Sequence, residues 1–215
     1  MDWEEKFKNK IKPAETALNV IKNGDRVFIG GGAAQPQALV KLLVERGKHL
    51  MDTEIIHTLT LGVTPYTSLK FAEVFRHNAF FISEDAREAV REGRAAYTPI
   101  FLSEIPKNIK SGLIPIDVTL IQVSPPDEYG FFSLGTSVDI IKSAVEASDI
   151  VIVEVNEQMP RTLGDSFIHI DDIKYIIEAD YPLPEWLKPE EDEVSQKIGA
   201  YTASLVENGS TIQTG

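Results

Sequence analysis

Three stretches of this 215-residue chain carry residue types and spacings that could do chemistry. The first is Gly30-Gly31-Gly32, which closes the β-rich run RVFIG (Arg26–Gly30) and leads towards Pro36. Backbone N–H groups in such a turn can face an anion, so one reading is a loop for close ligand approach. The other is a tight strand-to-helix turn. The dinucleotide spacing G-x-G-x-x-G fails, because Gln35 holds the last position, and no Gly-Lys-Ser/Thr follows for a P-loop. The second stretch is SPPDEYGFFSLG, Ser124–Gly135. Pro125-Pro126 stiffens its start, Gly130 and Gly135 permit sharp turns, and Phe131 and Phe132 are expected to point one out and one in. Ser133 sits in G-x-x-S-x-G and not in G-x-S-x-G, so the stretch is no nucleophile elbow. The third is NEQMPRTLG, Asn156–Gly164. Both of the latter follow apolar runs, and open α/β sheets bind ligands just beyond the carboxyl ends of their strands. The plainer alternative for the third is that Met159 and Pro160 simply pack.

The remaining reactive residues offer less. Zero cysteine excludes disulfides, thiolate catalysis and Cys-ligated zinc. Four histidines (His49, His57, His77, His169) are scattered without H-x-x-x-H or H-x-H spacing. His169 beside Asp171 and Asp172 suits either a metal or a structural, solvated histidine, and the second reading is preferred. Glu84 and Asp85 read as the acidic start of an exposed helix. No metal site is expected.

These stretches need elements to position them. Pro13 opens a helix that Gly24 closes, and Pro36 opens a second one carrying Leu39, Leu42 and Leu43 on one face and ended by Gly47. Glu54–Leu61 alternates like a strand, Ser68–His77 has a helical pattern, Ala79–Ile82 reads as a short strand and Glu84–Glu92 as an exposed helix. Ser103 is placed to cap a helix through Lys110. Asp117–Val123 and Ile150–Val155 are buried strands flanking a helix over Val138–Ala147. Strands alternating with helices imply an α/β fold with a mostly parallel sheet and helices on both faces. The last forty residues differ: Pro182, Pro184 and Pro189 space an extended strap, a helix follows over Glu190–Glu207, and GSTIQTG begins what reads as another strand. The expected division is therefore residues 1–180 as the α/β domain and 181–215 as strap, helix and the start of a further domain.

Composition narrows the function. With 21 basic and 33 acidic residues the net charge is −12, which argues against a nucleic-acid or anionic-membrane surface. No apolar run approaches the ~18 residues of a spanning helix, and the charged start MDWEEKFKNK lacks a signal core. A cytoplasmic protein is the expectation.

GDRVFIGGGAAQPQAL, IQVSPPDEYGFFSLGTSVDIIKSA, IVEVNEQMPRTLGDSFIHIDDI and ENGSTIQTG, in that order, resemble the N-terminal half of the acetyl-CoA hydrolase/transferase family, and within it the 4-hydroxybutyrate CoA-transferase-like group. The resemblance spans essentially the whole chain. It implies the first of two tandem α/β domains in an enzyme that moves CoA between a short-chain acyl-CoA (acetyl-, butyryl- or 4-hydroxybutyryl-) and a free carboxylate. A glutamate in the second half is the implied nucleophile, passing through a glutamyl-CoA thioester, so no residue of this chain takes a catalytic role and the chain alone is expected to be inactive. Gly31, Gly32, Ala33, Gln35 and Pro36 match the loop beside the acyl pocket, and Gln213, at the entry to the CoA loop, is counted with these pocket residues. Gly215 matches the entry to the CoA loop. Ser124, Pro125, Gly130, Asn156, Met159 and Pro160 match motifs near the cleft. The implied partners are the acyl-CoA, the carboxylate and a C-terminal transferase domain; no cofactor is bound, CoA thioester being a substrate. The surface that domain would cover implies self-association, hence a homo-oligomer. A non-catalytic interaction module or one subunit of a split transferase remains the alternative, and a dinucleotide-binding domain rests only on Gly30–Gly32.

Overall fold

Alternation of apolar residues along parallel strands decides the architecture. In β1 (Arg26–Ile29) Val27 and Ile29 face one apolar layer and Phe28 the other; Ile55 and Ile56 divide in the same way. In computed structural model form the chain is described over residues 3–185 and 191–213. Contacts divide it into two units, Met1–Glu185 and Trp186–Gly215. The first contains, in order, α1 (Trp3–Phe7), α2 (Ala14–Leu18), β1, α3 (Gln37–Arg46), β2 (Thr53–His57), β3 (Phe75–Ala79), α4 (Arg87–Arg91), β4 (Ala95–Tyr97), α5 (Ile105–Lys110), β5 (Val118–Val123), β6 (Phe131–Ser133), α6 (Ile141–Ala147), β7 (Ile150–Asn156), β8 (Phe167–His169) and β9 (Tyr175–Ala179). Seven strands form one wholly parallel sheet in the order β4-β3-β2-β1-β5-β7-β9, and β6 and β8 pair antiparallel beside it.

Both faces of the sheet are covered, as parallel sheets require. Leu39, Val40 and Leu43 of α3 and Ala17 and Leu18 of α2 pack on the face presenting Val27, Ile29, Ile55, Leu120 and Ile152. Ile105 and Ile109 of α5 and Ile141, Ala144 and Val145 of α6 pack on the face presenting Phe28, Ile56, Ile121, Val151 and Val153. The α/β class and the parallel sheet are those expected from the sequence. In the second unit α7 (Glu193–Ser204) begins with the Asp192 carboxylate accepting from the Ser195 amide at 2.7 Å. Its Val194, Ile198 and Tyr201 are exposed.

Several boundaries differ from the sequence reading. The helix expected over Ser68–His77 is one short 3-10 turn (Leu69–Phe71) followed by β3, because Phe75, His77 and Ala79 bury with period two against β2. The strand placed at Ala79–Ile82 is therefore shifted back. The strand expected to Leu61 stops at His57, and the helix after Pro13 stops at Leu18, well before Gly24. Glu84–Glu92 is a 3-10 turn and a five-residue helix, and α6 starts at Ile141 instead of Val138. Ser103 lies inside a 3-10 turn and caps nothing. β4, β6, β8 and β9 were not foreseen, so Ser133 ends a strand within what reads as a loop.

Candidate functional site

Strands added to β1 run one way across the sheet and strands added to β5 run the other, so β1 and β5 straddle the point where the chain order reverses. Loops leaving the carboxyl ends of two such strands diverge to opposite faces and leave a crevice, the usual ligand position in open α/β sheets. Beyond β1 lies Gly30–Pro36, beyond β5 Ser124–Ile140.

The glycine loop is held by its neighbour from β2. Gly32 N donates to Leu59 O at 2.7 Å and Leu61 N to Gly32 O at 3.2 Å. A Cβ at Gly31 would overlap the Leu59 carbonyl oxygen, and Gly32 combines φ +60° with a Ser137 hydroxyl where its Cβ would lie. A close backbone approach thus explains Gly31, and a left-handed backbone beside the Ser137 side chain explains Gly32. Between this loop and the starts of α5 and α6 opens a cavity of about 580 Å³. Gly32, Thr58, Phe80, Ile105 and Asp139 border it on the sheet side, and Phe81, Tyr97, Phe101 and Leu102 bring large, exposed apolar surface to its outer wall. Phe101 is 76% exposed. None of the residues lining this cavity is basic, so it suits an apolar group and not a phosphate. Asp139 is exposed as a residue, yet desolvation of its carboxyl raises its pKa, against the lowering effect of the Ile140 and Ile141 amides.

On the other side of the glycine loop lies a buried polar network. Glu154 on β7 is fully buried; its Oε2 accepts from the Leu39 amide at 2.9 Å in the first turn of α3, and its Oε1 accepts from the Tyr181 hydroxyl. That hydroxyl accepts in turn from the Gln37 amide at 3.0 Å and from Gln122 Nε2 at 2.9 Å. Gln122 Nε2 also donates to Gln35 O at 2.8 Å, and Asn156 Nδ2 to Gln122 Oε1 and Tyr181 O, each at 2.9 Å. Burial pushes the Glu154 carboxyl up, against its hydrogen bonds, and burial together with the Glu154 charge pushes the Tyr181 phenol far up.

Two further buried groups, His57 and His77, stack with ring centroids 4.3 Å apart and planes at 22°. Each Nδ1 lies against a backbone oxygen, Thr58 O at 2.6 Å and Ile55 O at 3.1 Å. Desolvation lowers His57 to about 3, aided by the charge of His77, and lowers His77 to about 4. Parallel rings cannot aim both Nε2 lone pairs at one ion. Among the described residues no group of three or more His, Asp or Glu could hold a metal ion. His169 caps a 3-10 turn, its ring accepting from the Asp171 amide while Asp172 accepts from its own amide.

The structure brings only some of the sequence candidates to the cavity. Gly32 lines it; Gly31, Ala33 and Pro36 belong to the same loop without lining it. Gln35 turns away, donating to Val63 O at 3.0 Å with its side chain over Gly62. Ser124 is buried and ties β5 to β6, accepting from the Ser133 amide at 3.1 Å and donating to Pro125 O at 2.9 Å. Gly130 (φ +92°) turns the β6–β8 ribbon against Ile170 and Phe7. Asn156 belongs to the polar network, Met159 packs on Gly135, and Pro160 is exposed. Gln213 is an exposed residue of the second unit, and Gly215 lies outside the described residues. Sequence reasoning missed Thr58, Phe80, Phe81, Tyr97, Phe101 and Asp139, and also Glu154, Gln122 and Tyr181. Applying the strand-end rule to β2 and β3, whose carboxyl ends Thr58 and Phe80 directly follow, would have found two of them.

A wholly parallel sheet with helices on both faces and an apolar cavity beyond the carboxyl ends of β1, β2 and β3 defines the class, an open α/β domain. Residues 1–184 match the acetyl-CoA hydrolase/transferase N-terminal domain, and the chain belongs to that family. It is 46% identical over all 215 residues to the 4-hydroxybutyrate coenzyme A transferase of Clostridium kluyveri, covering 50% of that protein. It superposes on RipA from Yersinia pestis with a TM-score of 0.88 at 26% identity, covering 97% of this chain and 51% of RipA. A 4-hydroxybutyrate CoA-transferase from Porphyromonas gingivalis gives 0.77 at 29% identity, covering 98% and 49%. The chain spans about half the length of the curated relatives it matches. No helix among the described residues is long and apolar enough to cross a membrane.

Proposed function

We propose that this chain forms the N-terminal half of an acyl-CoA:carboxylate CoA-transferase and contributes the apolar wall against which the acyl group lies. The observation that carries the reading is alignment of the whole chain with half of a CoA-transferase, together with an apolar, cation-free cavity beyond the carboxyl ends of β1, β2 and β3. The reaction needs a nucleophile, an oxyanion site and cationic groups for the CoA phosphates, and the cavity lining offers no base for the last of these. In the proposed division of labour, a glutamate of the C-terminal half attacks the thioester carbonyl and expels CoA thiolate, leaving a mixed anhydride. The thiolate then attacks the glutamyl carbonyl, releasing the first carboxylate and leaving glutamyl-CoA; an incoming carboxylate reverses both steps. Here the walls at Phe80, Phe81, Tyr97 and Phe101 keep water from the anhydride, which favours transfer over hydrolysis. The acyl group is short-chain, acetyl, butyryl or 4-hydroxybutyryl; Gln213 and Gly215 lead into the CoA site, and the strap and helix beyond the α/β domain lead into the next domain. The complete enzyme works in the cytoplasm as a homo-oligomer.

The test is where CoA becomes attached. This chain and a C-terminal half from a relative are mixed with acyl-CoA, and each polypeptide is weighed by intact-mass spectrometry. A CoA adduct on the C-terminal half alone supports the reading; an adduct on this chain contradicts it.

A further inference from the structure

Tyr181 is the second residue after β9, which ends at Ala179, and it is where the first unit's chain turns towards its proline-rich exit. Its hydroxyl sits at the centre of the polar network and every bonding position on it is used. It donates to Glu154 and accepts from the Gln37 amide at 3.0 Å and from Gln122 Nε2 at 2.9 Å. Each of those partners holds the glycine loop or the first turn of α3 that follows it. Gln37 is the residue after Pro36, Gln122 clamps the Gln35 carbonyl at 2.8 Å, and Glu154 binds the Leu39 amide at 2.9 Å. Leu59 holds the loop at Gly32, and at the Gln35–Gln37 end the network acts on the backbone while the Gln35 side chain donates separately to Val63 O at 3.0 Å.

We propose that Tyr181 is a positioning residue for the glycine loop: its hydroxyl fixes the carboxyl-terminal half of the Gly30–Pro36 loop and so couples that loop to the segment by which the chain leaves the domain. Its catalytic relevance rests on the transferase reading, but the coupling does not. Movement of the exit segment at Tyr181 would leave the Gln37 amide, one N–H of Gln122 and one Glu154 oxygen without this partner together. Buried groups freed together cost far more than one exposed bond, so the loop and the exit segment hold or release as a unit. Asn156 reinforces the same link, since its Nδ2 bonds both Gln122 and the Tyr181 carbonyl.

Hydrogen–deuterium exchange on the chain itself tests this without any turnover, so failure of the transferase reading leaves the result interpretable. In Tyr181→Phe, amides across Gly31–Gln37 should exchange about tenfold faster or more, while those in the middle of β1, β5 and β7 change far less. Tyr175→Phe removes a hydroxyl from nearby β9 and should leave the loop as in the unaltered protein. Should Tyr181→Phe not fold, Glu154→Gln, which keeps the shape and one acceptor, reads the same amides and should loosen them selectively. Unchanged loop exchange overturns the proposal. A uniform rise across loop and strands also overturns it, since that is what a merely structural role would give.

Discussion

Acid should unfold this protein through two stacked histidines, and the size of the effect follows from their burial. His57 and His77 are almost wholly inaccessible, with pKa values lowered from 6.5 to about 3 and about 4. Below pH 6.5 the unfolded chain binds a proton on each ring while the folded chain does not, so stability is intact above that value and falls as pH drops towards the folded values. At about pH 5 the linkage cost is about 2 kcal/mol per ring, or about 4 kcal/mol for the pair relative to about pH 8. Asp139 and Glu154, both raised by burial, act with the opposite sign, because the folded chain binds their protons first. Urea unfolding of the natural protein and of His57→Asn/His77→Asn, each followed between about pH 8 and about pH 5, isolates the pair, since the carboxylates are common to both. The natural protein should lose about 4 kcal/mol more than the double variant over that range. Parallel pH profiles would refute the reasoning, whatever the absolute stabilities.

Other expectations concern packing. Gly31→Ala should destabilise by about 1–3 kcal/mol in urea unfolding, because its methyl meets the Leu59 carbonyl and not a movable side chain; a cost near zero would show that the loop can shift. Phe132→Ala, in the core, should cost about 3–5 kcal/mol, whereas Phe131→Ala, at a residue 42% exposed, should cost about 1 kcal/mol or less. Equal costs would mean that the β6–β8 ribbon is registered the other way round. Phe101→Ser removes exposed apolar surface at the cavity mouth and should reduce binding of a fluorescent apolar dye with little change in unfolding midpoint; undiminished dye binding would count against an open apolar cavity.

Strands buried on both faces were legible because their apolar runs are continuous: VTLIQV and IVIVEV could be little else. β3 was not, since FRHNA puts the polar His77 inside, against His57, and half-buried Asn78 bonds Glu54. Short β4, β6 and β8 lie below the length at which periodicity speaks. The glycine run was visible, and its proximity to a cavity followed from the strand-end rule. Its reason for being glycine was not, because the clashing atom at Gly31 is a carbonyl twenty-eight residues on, at Leu59. The Glu154–Tyr181–Gln122 network was equally hidden: each member reads alone as a polar residue in or after a strand, and only folding brings them together. Gln35 shows the converse, a residue of the right loop whose side chain points elsewhere.

The central claim, that this chain is half of a CoA-transferase, is tested most directly by acyl-CoA/acetate exchange, assayed on the chain alone and again with a C-terminal half supplied in trans. Exchange that appears only on mixing is the predicted result. Exchange by the chain alone would contradict the account, because it would place the nucleophile among these 215 residues.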